Sequence, residues 1–359
     1  MWPDQRLMDL LGVGLPIIQA PMAGSVDAAL AIAVSEAGGL GSIPCATILP
    51  QQVKAQLELV RQQTSKPINV NFFCHVPPTP DPARESKWLE ILAPHYLGLG
   101  LDPNGNHPGA GRAPFNDEYC DVLEAYRPAV VSFHFGLPDE RLVRRVKSWG
   151  AKVLSSATTV AEARWLEANG CDAIIAQGAE AGGHRGIFLS DDVVGGALQQ
   201  PGTMALVPQV VDAVKVPVIA AGGIADGRGV AAAMMLGASA AQLGTAYLFC
   251  SEAKTSAVHR SALKTARDDE TTLTNIFTGR PARAVVNKVI RDIGALNRAA
   301  PEFPLASNTI APLRAKAEAT GNGAYSSLWS GQAVTLCRER PAAELTRALA
   351  ADALRLLGR

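Results

Sequence analysis

Short, nearly continuous apolar runs recur along the chain, most of them beginning 22 to 28 residues after the one before. Eight can be counted, at 16–22 (PIIQAPM), 39–45 (GLGSIPC), 67–73 (PINVNFF), 129–135 (AVVSFHF), 151–157 (AKVLSSA), 173–178 (AIIAQG), 217–223 (PVIAAGG) and 240–246 (AAQLGTA). Runs of this kind, without polar alternation, fit parallel strands whose faces are both covered by helices. The connecting segments end alike: SEAGGLGS, KSWGAKVL, EANGCDAI and MLGASAAQ each put a glycine between a helical stretch and the next run. Glycine there tolerates the left-handed turn that closes a helix. Thr159 followed by Glu162 predicts a capping box at the head of VAEARWLEAN. Strand and helix alternating eight times predict an α/β fold of the (β/α)8 TIM-barrel type.

Two gaps are too long for simple crossovers. Residues 74–128, with VPPTPDP and NGNHPGAGRAP, and residues 179–208 are expected to lie on the face formed by the C-terminal strand ends, where barrels carry their sites. After the eighth run the chain turns polar and irregular, and 342–357 then shows a clear helical period. The expected organisation is a barrel of 1–250 and 316–359, with a smaller helical subdomain of 251–315 inserted before the last barrel helix and covering the site. The long uncharged stretch 229–251 is divided by Gly237, Ser239, Gln242 and Gly244, and reads as a helix followed by a strand rather than a membrane span.

Composition narrows the partners. Of 359 residues, 48% are hydrophobic and 18% charged, enough apolar material for a large core. Thirty-three basic and thirty-three acidic residues cancel without a dense basic block, which argues against nucleic acid and favours a small-molecule partner. Six scattered cysteines without a C-x-x-C pair argue against a zinc site or disulfide framework, and with no leader-like N-terminal segment a cytoplasmic setting is expected. The neutral balance leaves monomer and homodimer equally open.

Candidate chemistry gathers at the ends of the runs. Gly222 and Gly223 precede a helix whose expected cap is Asp226, and Gln242, Gly244 and Thr245 close the eighth run. Backbone N–H groups at the loops after barrel strands seven and eight form a common phosphate site; the alternative is that these glycines only permit tight packing. Asn71, Ser155, Ser156 and Gln177 interrupt apolar runs near their ends, where amides can bond the edge of a flat heterocycle or simply cap a barrel layer. His134 ends the fourth run and reads either as a core histidine or as a pocket residue. His184 lies in QGAEAGGHRG, a glycine-rich loop with little apolar surface to bury, which favours a chemical role; His75, His95, His107 and His259 have no comparable setting. No metal-ligand spacing occurs, so no metal is expected.

Taken together, PIIQAPMAG, NVNFF, VVSFHFG, AQGAEAGGHRG, PVIAAGGIADGRG and QLGTAYL resemble the nitronate monooxygenases, and GGHRG with SFHFG resembles their class I; FTGRPARAVVN and YSSLWSGQ extend the likeness towards the C-terminus. The resemblance implies a barrel that binds FMN without a metal and uses O2 to oxidise alkyl nitronates, propionate 3-nitronate among them, to a carbonyl compound and nitrite. It implies Pro21, Met22 and Ala23 against the isoalloxazine, Asn71 and Gln177 at its polar edge, and Gly182, Gly222, Gly223, Gln242, Gly244 and Thr245 along the ribityl chain and phosphate. It makes His184 the catalytic histidine, pairing with the nitronate when protonated or donating, and His134 a second pocket histidine. The rival on the same barrel is an FMN-dependent NAD(P)H reductase of enoyl thioesters or quinones.

Overall fold

The computed structural model describes residues 1–105 and 112–359, so His107 lies outside the described residues. All eight apolar runs form strands: β1 (Ile17–Gln19), β2 (Gly41–Pro44), β3 (Ile68–Phe73), β4 (Val130–His134), β5 (Lys152–Ala157), β6 (Ala173–Gln177), β7 (Val218–Ala221) and β8 (Ala240–Leu243). Each pairs in parallel with its neighbours, β1 with β8 included. A parallel bridge between Ile18 and Leu40 joins β1 to β2 and closes the barrel.

Two apolar layers follow from the period-2 alternation of strand side chains. Ile18, Leu40, Val130, Leu154, Ala173, Ile175, Ile219 and Ala240 fill the interior, and Leu7 and Leu11 of the helix Arg6–Leu11 join them as a plug. Ile17, Ile43, Val131, Val153, Ile174 and Val218 face outward into the helical ring. The helix Ala342–Leu356 completes that ring by packing on Gly227–Met235 and Ala28–Glu36. Gly38, Gly150, Gly170 and Gly237, the glycines expected to close helices, all take φ between 89° and 97°.

The capping box is only half formed. Thr159 Oγ1 accepts from the Glu162 N–H at 3.2 Å, but the Glu162 carboxylate turns elsewhere. It accepts from the N–H and hydroxyl of Thr158, each at 2.7 Å, and from the Phe188 N–H at 2.7 Å. The reason is tertiary: the loop after β6 brings an unpaired amide within reach, and a buried carboxylate is better satisfied by several donors than by one.

A second core sits apart from the barrel. Trp88, Leu92 and Tyr96, from the helix Pro82–Gly98 in the first long gap, pack with Ile276, Phe277, Ile290, Ile310, Leu313 and Ala317. This region also holds a three-stranded sheet in which Ala282–Val285 lies between Thr271–Thr274 and Gly183–His184. The strand Gly183–His184 comes from the loop after β6, so the sheet ties the outer region to the barrel mouth. No helix among the described residues is long and apolar enough to cross a membrane.

Candidate active site

Register decides which polar residues share the barrel interior. Asn71 pairs with Ser132, Ser132 with Leu154, Ser156 with Ile175, Gln177 with Ala221, and Ala221 with Gln242. Neighbours paired across parallel strands face the same side, and Leu154, Ile175 and Ala221 belong to the interior. Asn71, Ser132, His134, Ser156, Gln177 and Gln242 therefore ring the inside of the barrel at its C-terminal end. Asn71 Nδ2 donates to Ser132 Oγ at 2.9 Å. Gln242 Oε1 is buried and has no hydrogen-bond partner among the described residues.

The loop after β6 is organised by Arg185, which is 0% exposed. Its Nη1 donates to the carbonyl of Gly178 at 3.1 Å, and Nη2 donates to Ala181, Gly182 and Gly183 at 2.5, 3.2 and 2.8 Å. Carbonyl and N–H point opposite ways in a trans peptide, so turning these oxygens onto one guanidinium aims the Gly182 and Gly183 N–H groups away from it. Burial lowers the Arg185 guanidinium to about 9, so it stays cationic at neutral pH. Gln177 spans the same loop: Nε2 donates to the His184 carbonyl at 2.9 Å and Oε1 accepts from the Gly186 N–H at 2.8 Å. Both ends of this amide are therefore occupied by the loop.

His134 braces the loop from below. Its Nε2 lies 3.2 Å from the His184 carbonyl, which can only accept, so Nε2 carries the proton and Nδ1 accepts from the Ser156 hydroxyl. Burial, with the positive charge of Arg280, lowers this imidazole to about 3. His184 stands in an aromatic box with ring centroids of Trp329, Phe303, Phe73 and Phe135 at 5.3, 5.4, 6.0 and 6.1 Å. Burial, Arg112, His134 and Arg280 together hold it well below the ordinary imidazole range, so the ring is neutral rather than protonated. Its Nε2 is 3.0 Å from Thr278 Oγ1, which directs its own hydrogen at the Arg280 carbonyl 3.3 Å away. With that hydrogen so placed, His184 Nε2 is the donor and Nδ1 keeps a free lone pair.

The glycine loops converge on the same mouth. Gly222 and Gly223 adopt φ of 121° and 68°, and a Cβ on Gly222 would lie 2.7 Å from Thr203 Oγ1 and 3.1 Å from the Ala181 nitrogen. Asp226 caps the following helix as expected, accepting from the N–H groups of Arg228 and Gly229. Met22 Sδ would stand 3.6 Å from a Cβ on Gly244, which sets the loop of Pro21, Met22 and Ala23 beside the end of β8. Thr245 Oγ1 accepts from the Gly331 N–H at 2.9 Å, and a Cβ on Gly182 would come within 2.6 Å of that nitrogen. Ser330 and Gly331 thus cover both loops. Sequence reading missed these two, together with Thr278, Arg280, Phe303, Trp329 and Arg185; FTGRP and LWSGQ were the local signal for Thr278, Arg280, Trp329, Ser330 and Gly331, GGHRG for Arg185, and Phe303 had none.

A barrel with a histidine on the sixth-strand loop and glycine loops after strands seven and eight can be set against known proteins. The family model for nitronate monooxygenase matches residues 4–352. The chain belongs to the nitronate monooxygenase family. It is 44% identical to the nitronate monooxygenase of Pseudomonas aeruginosa over 96% of this chain and 97% of that protein. Among solved structures, a nitroalkane oxidase from Streptomyces ansochromogenes superposes with a TM-score of 0.89 at 38% identity, covering 98% of this chain and 99% of that one. FabK from Thermotoga maritima superposes with a TM-score of 0.75 at 29% identity, covering 98% and 97%. As a nitronate monooxygenase by family, the chain is an oxidoreductase acting on a small-molecule substrate.

Proposed function

We propose that the barrel mouth binds FMN and that the enzyme uses O2 to oxidise alkyl nitronates, propionate 3-nitronate among them, to a carbonyl compound and nitrite. The observation that carries this reading is the boxed, neutral His184 beside a ring of inward polar side chains that includes Gln242 with its unsatisfied, buried Oε1. The fit to a flavin rests on that unsatisfied acceptor, which suits an N–H on a heterocycle edge, and on the turn after β7, where Gly223 is exposed. In this reading Pro21, Met22 and Ala23 line the ring, Asn71 and Gln242 lie at its polar edge, and Gly182, Gly222, Gly223, Gly244 and Thr245 hold the chain and phosphate. Gln177 acts mainly by fixing the His184 loop. When bound, the flavin supplies the electron transfer to and from substrate and oxygen.

A nitronate is already an anion, so no proton has to leave it. The chain's part is to hold the anion in a dry aromatic box, where the field of Arg112 and Arg280 favours negative charge. His184 Nδ1 offers its lone pair to a carbon-bound proton when a neutral nitroalkane enters instead, and His134 and Gln177 fix the backbone that carries it.

Oxygen uptake by the yellow enzyme given propionate 3-nitronate, with nitrite measured in the same samples, tests this function; absence of both refutes it. The likeness to FabK favours a second reading, an FMN-dependent NAD(P)H reductase. Rapid anaerobic bleaching of the flavin by NADH supports that reading against ours.

A further inference from the structure

Among the described residues a single acidic side chain is buried, that of Glu162 in the first turn of the helix Val160–Ala168, which is 2% exposed. A buried carboxylate is costly unless donors surround it. Here they do: Oε2 accepts from the N–H and hydroxyl of Thr158, and Oε1 accepts from the N–H groups of Phe188 at 2.7 Å and Leu189 at 3.4 Å. A capping box would need only an amide of its own turn and does not account for two amides 26 and 27 residues further on.

Arg280 is the complementary case. It lies 4.1 Å above the Phe135 ring, donates through Nη2 to the Ile187 carbonyl, and makes no ion pair among the described residues. Burial lowers this guanidinium to about 10, and the negative charge of Glu162 opposes the fall. The Ile187 carbonyl and the Phe188 N–H belong to one peptide unit. In a trans peptide these groups point opposite ways, so the unit joins a cation on one side to an anion on the other, and hydrogen bonds in series polarise one another. Its flank is packed as well: the Phe188 ring stands 5.2 Å from Trp165, one turn along the Glu162 helix, and a Cβ on Gly136 would come within 3.2 Å of it. The bridge reaches the site by two routes. The bonded peptide begins three residues after His184, and Phe135 beneath Arg280 is a wall of the His184 box. The Arg280 charge also helps to hold His134 and His184 below the ordinary imidazole range.

We propose that Glu162 is a positioning residue for the His184 box, acting through the Ile187–Phe188 peptide to hold Arg280 and the segment that follows His184. Its effect on turnover rests on the nitronate reading above, whereas the bridge itself does not.

The test is a double-mutant cycle of Glu162→Gln and Arg280→Met in the holoenzyme, read by amide hydrogen exchange of residues 187–189 and by kcat/KM for propyl-1-nitronate. Glutamine keeps the size of the side chain but sets an NH2 against amide donors. Each single variant should speed exchange of the Phe188 amide by about 10-fold or more and lower kcat/KM by about 10-fold to 100-fold, the range of a hydrogen bond to a charged group. Because both act through one peptide, the double variant should fall within about 2-fold of the weaker single one. Thr158→Val removes a donor from the other carboxylate oxygen, and should lower the melting temperature without speeding exchange at Phe188. Multiplied losses in the double variant, or Phe188 exchange that Thr158→Val speeds as much as Glu162→Gln does, overturn the proposal. Should Glu162→Gln fail to fold, Arg280→Met decides alone: it touches only the carbonyl, so unchanged exchange at Phe188 also overturns the bridge. If no nitronate is oxidised but exchange responds as expected, the bridge stands and the nitronate reading fails.

Discussion

Arg185→Met is the sharpest probe of how the His184 loop is held. The substitution keeps an apolar stem of similar length but removes the donors that satisfy carbonyls of Gly178, Ala181, Gly182 and Gly183 inside a fully buried pocket. A hydrogen bond to a charged donor is worth about 1.5–3 kcal/mol net, but relief from burying the cation offsets part of the loss. Because the bonds share one guanidinium they do not add, and a total cost of about 3–5 kcal/mol follows for a broken buried network. With an unfolding entropy near ~2.1 cal/mol/K per residue, that cost lowers the melting temperature of a chain this size by roughly 4–7 °C. The loss of flavin should exceed what the change in melting temperature explains, because the same loop carries Gly182 and His184. Differential scanning calorimetry and the ratio of flavin to protein absorbance measure both. A variant that melts within about 1 °C of the parent and keeps full flavin would refute the claim that Arg185 organises the loop.

Further outcomes follow from the same geometry. His184→Asn should lower nitronate turnover by about 10²–10⁴-fold in steady-state oxygen uptake while the flavin stays bound, a loss typical of a proton-handling side chain; near-normal turnover removes it from the mechanism. Gly182→Ala should fail to hold flavin, because the new Cβ meets the Gly331 nitrogen at 2.6 Å, and retention of full flavin content would contradict this. His75, His134 and His184 have imidazoles lowered in the fold, to about 4, to about 3 and well below normal, so the unfolded chain binds protons that the folded one does not. Their contribution to stability is complete above pH 6.5 and is lost as pH falls towards 3, each adding a slope of about 1.4 kcal/mol per pH unit in that window. Denaturant unfolding at stepped pH measures it, and a flat profile between pH 6.5 and 4 would count against neutral buried rings.

The barrel was legible because its causes are local. Eight apolar runs, the glycines that end helices and the Asp226 cap each report on residues within one turn or one strand, and all eight runs became strands. The same local logic marked Asn71, Gln177, Gln242 and His184 as polar residues at strand ends. The Thr159–Glu162 box shows the limit: its first bond formed, and its second was taken by an amide 26 residues further on.

What the sequence determined, then, is pattern along the chain: which residues are strands, where helices close, and which polar residues stand at strand ends. What only the tertiary structure decided is company. Nothing in the chain's spacing says that Trp88 of the first gap shares a core with Leu313, or that Phe303, Trp329 and Thr278 close around His184. The protonation of His184 belongs to this second kind, because it depends on burial and on arginines at 112, 185 and 280. Strand and helix patterns are set by neighbours along the chain, whereas dielectric and charge are set by neighbours in space, and the site's chemistry depends on the latter.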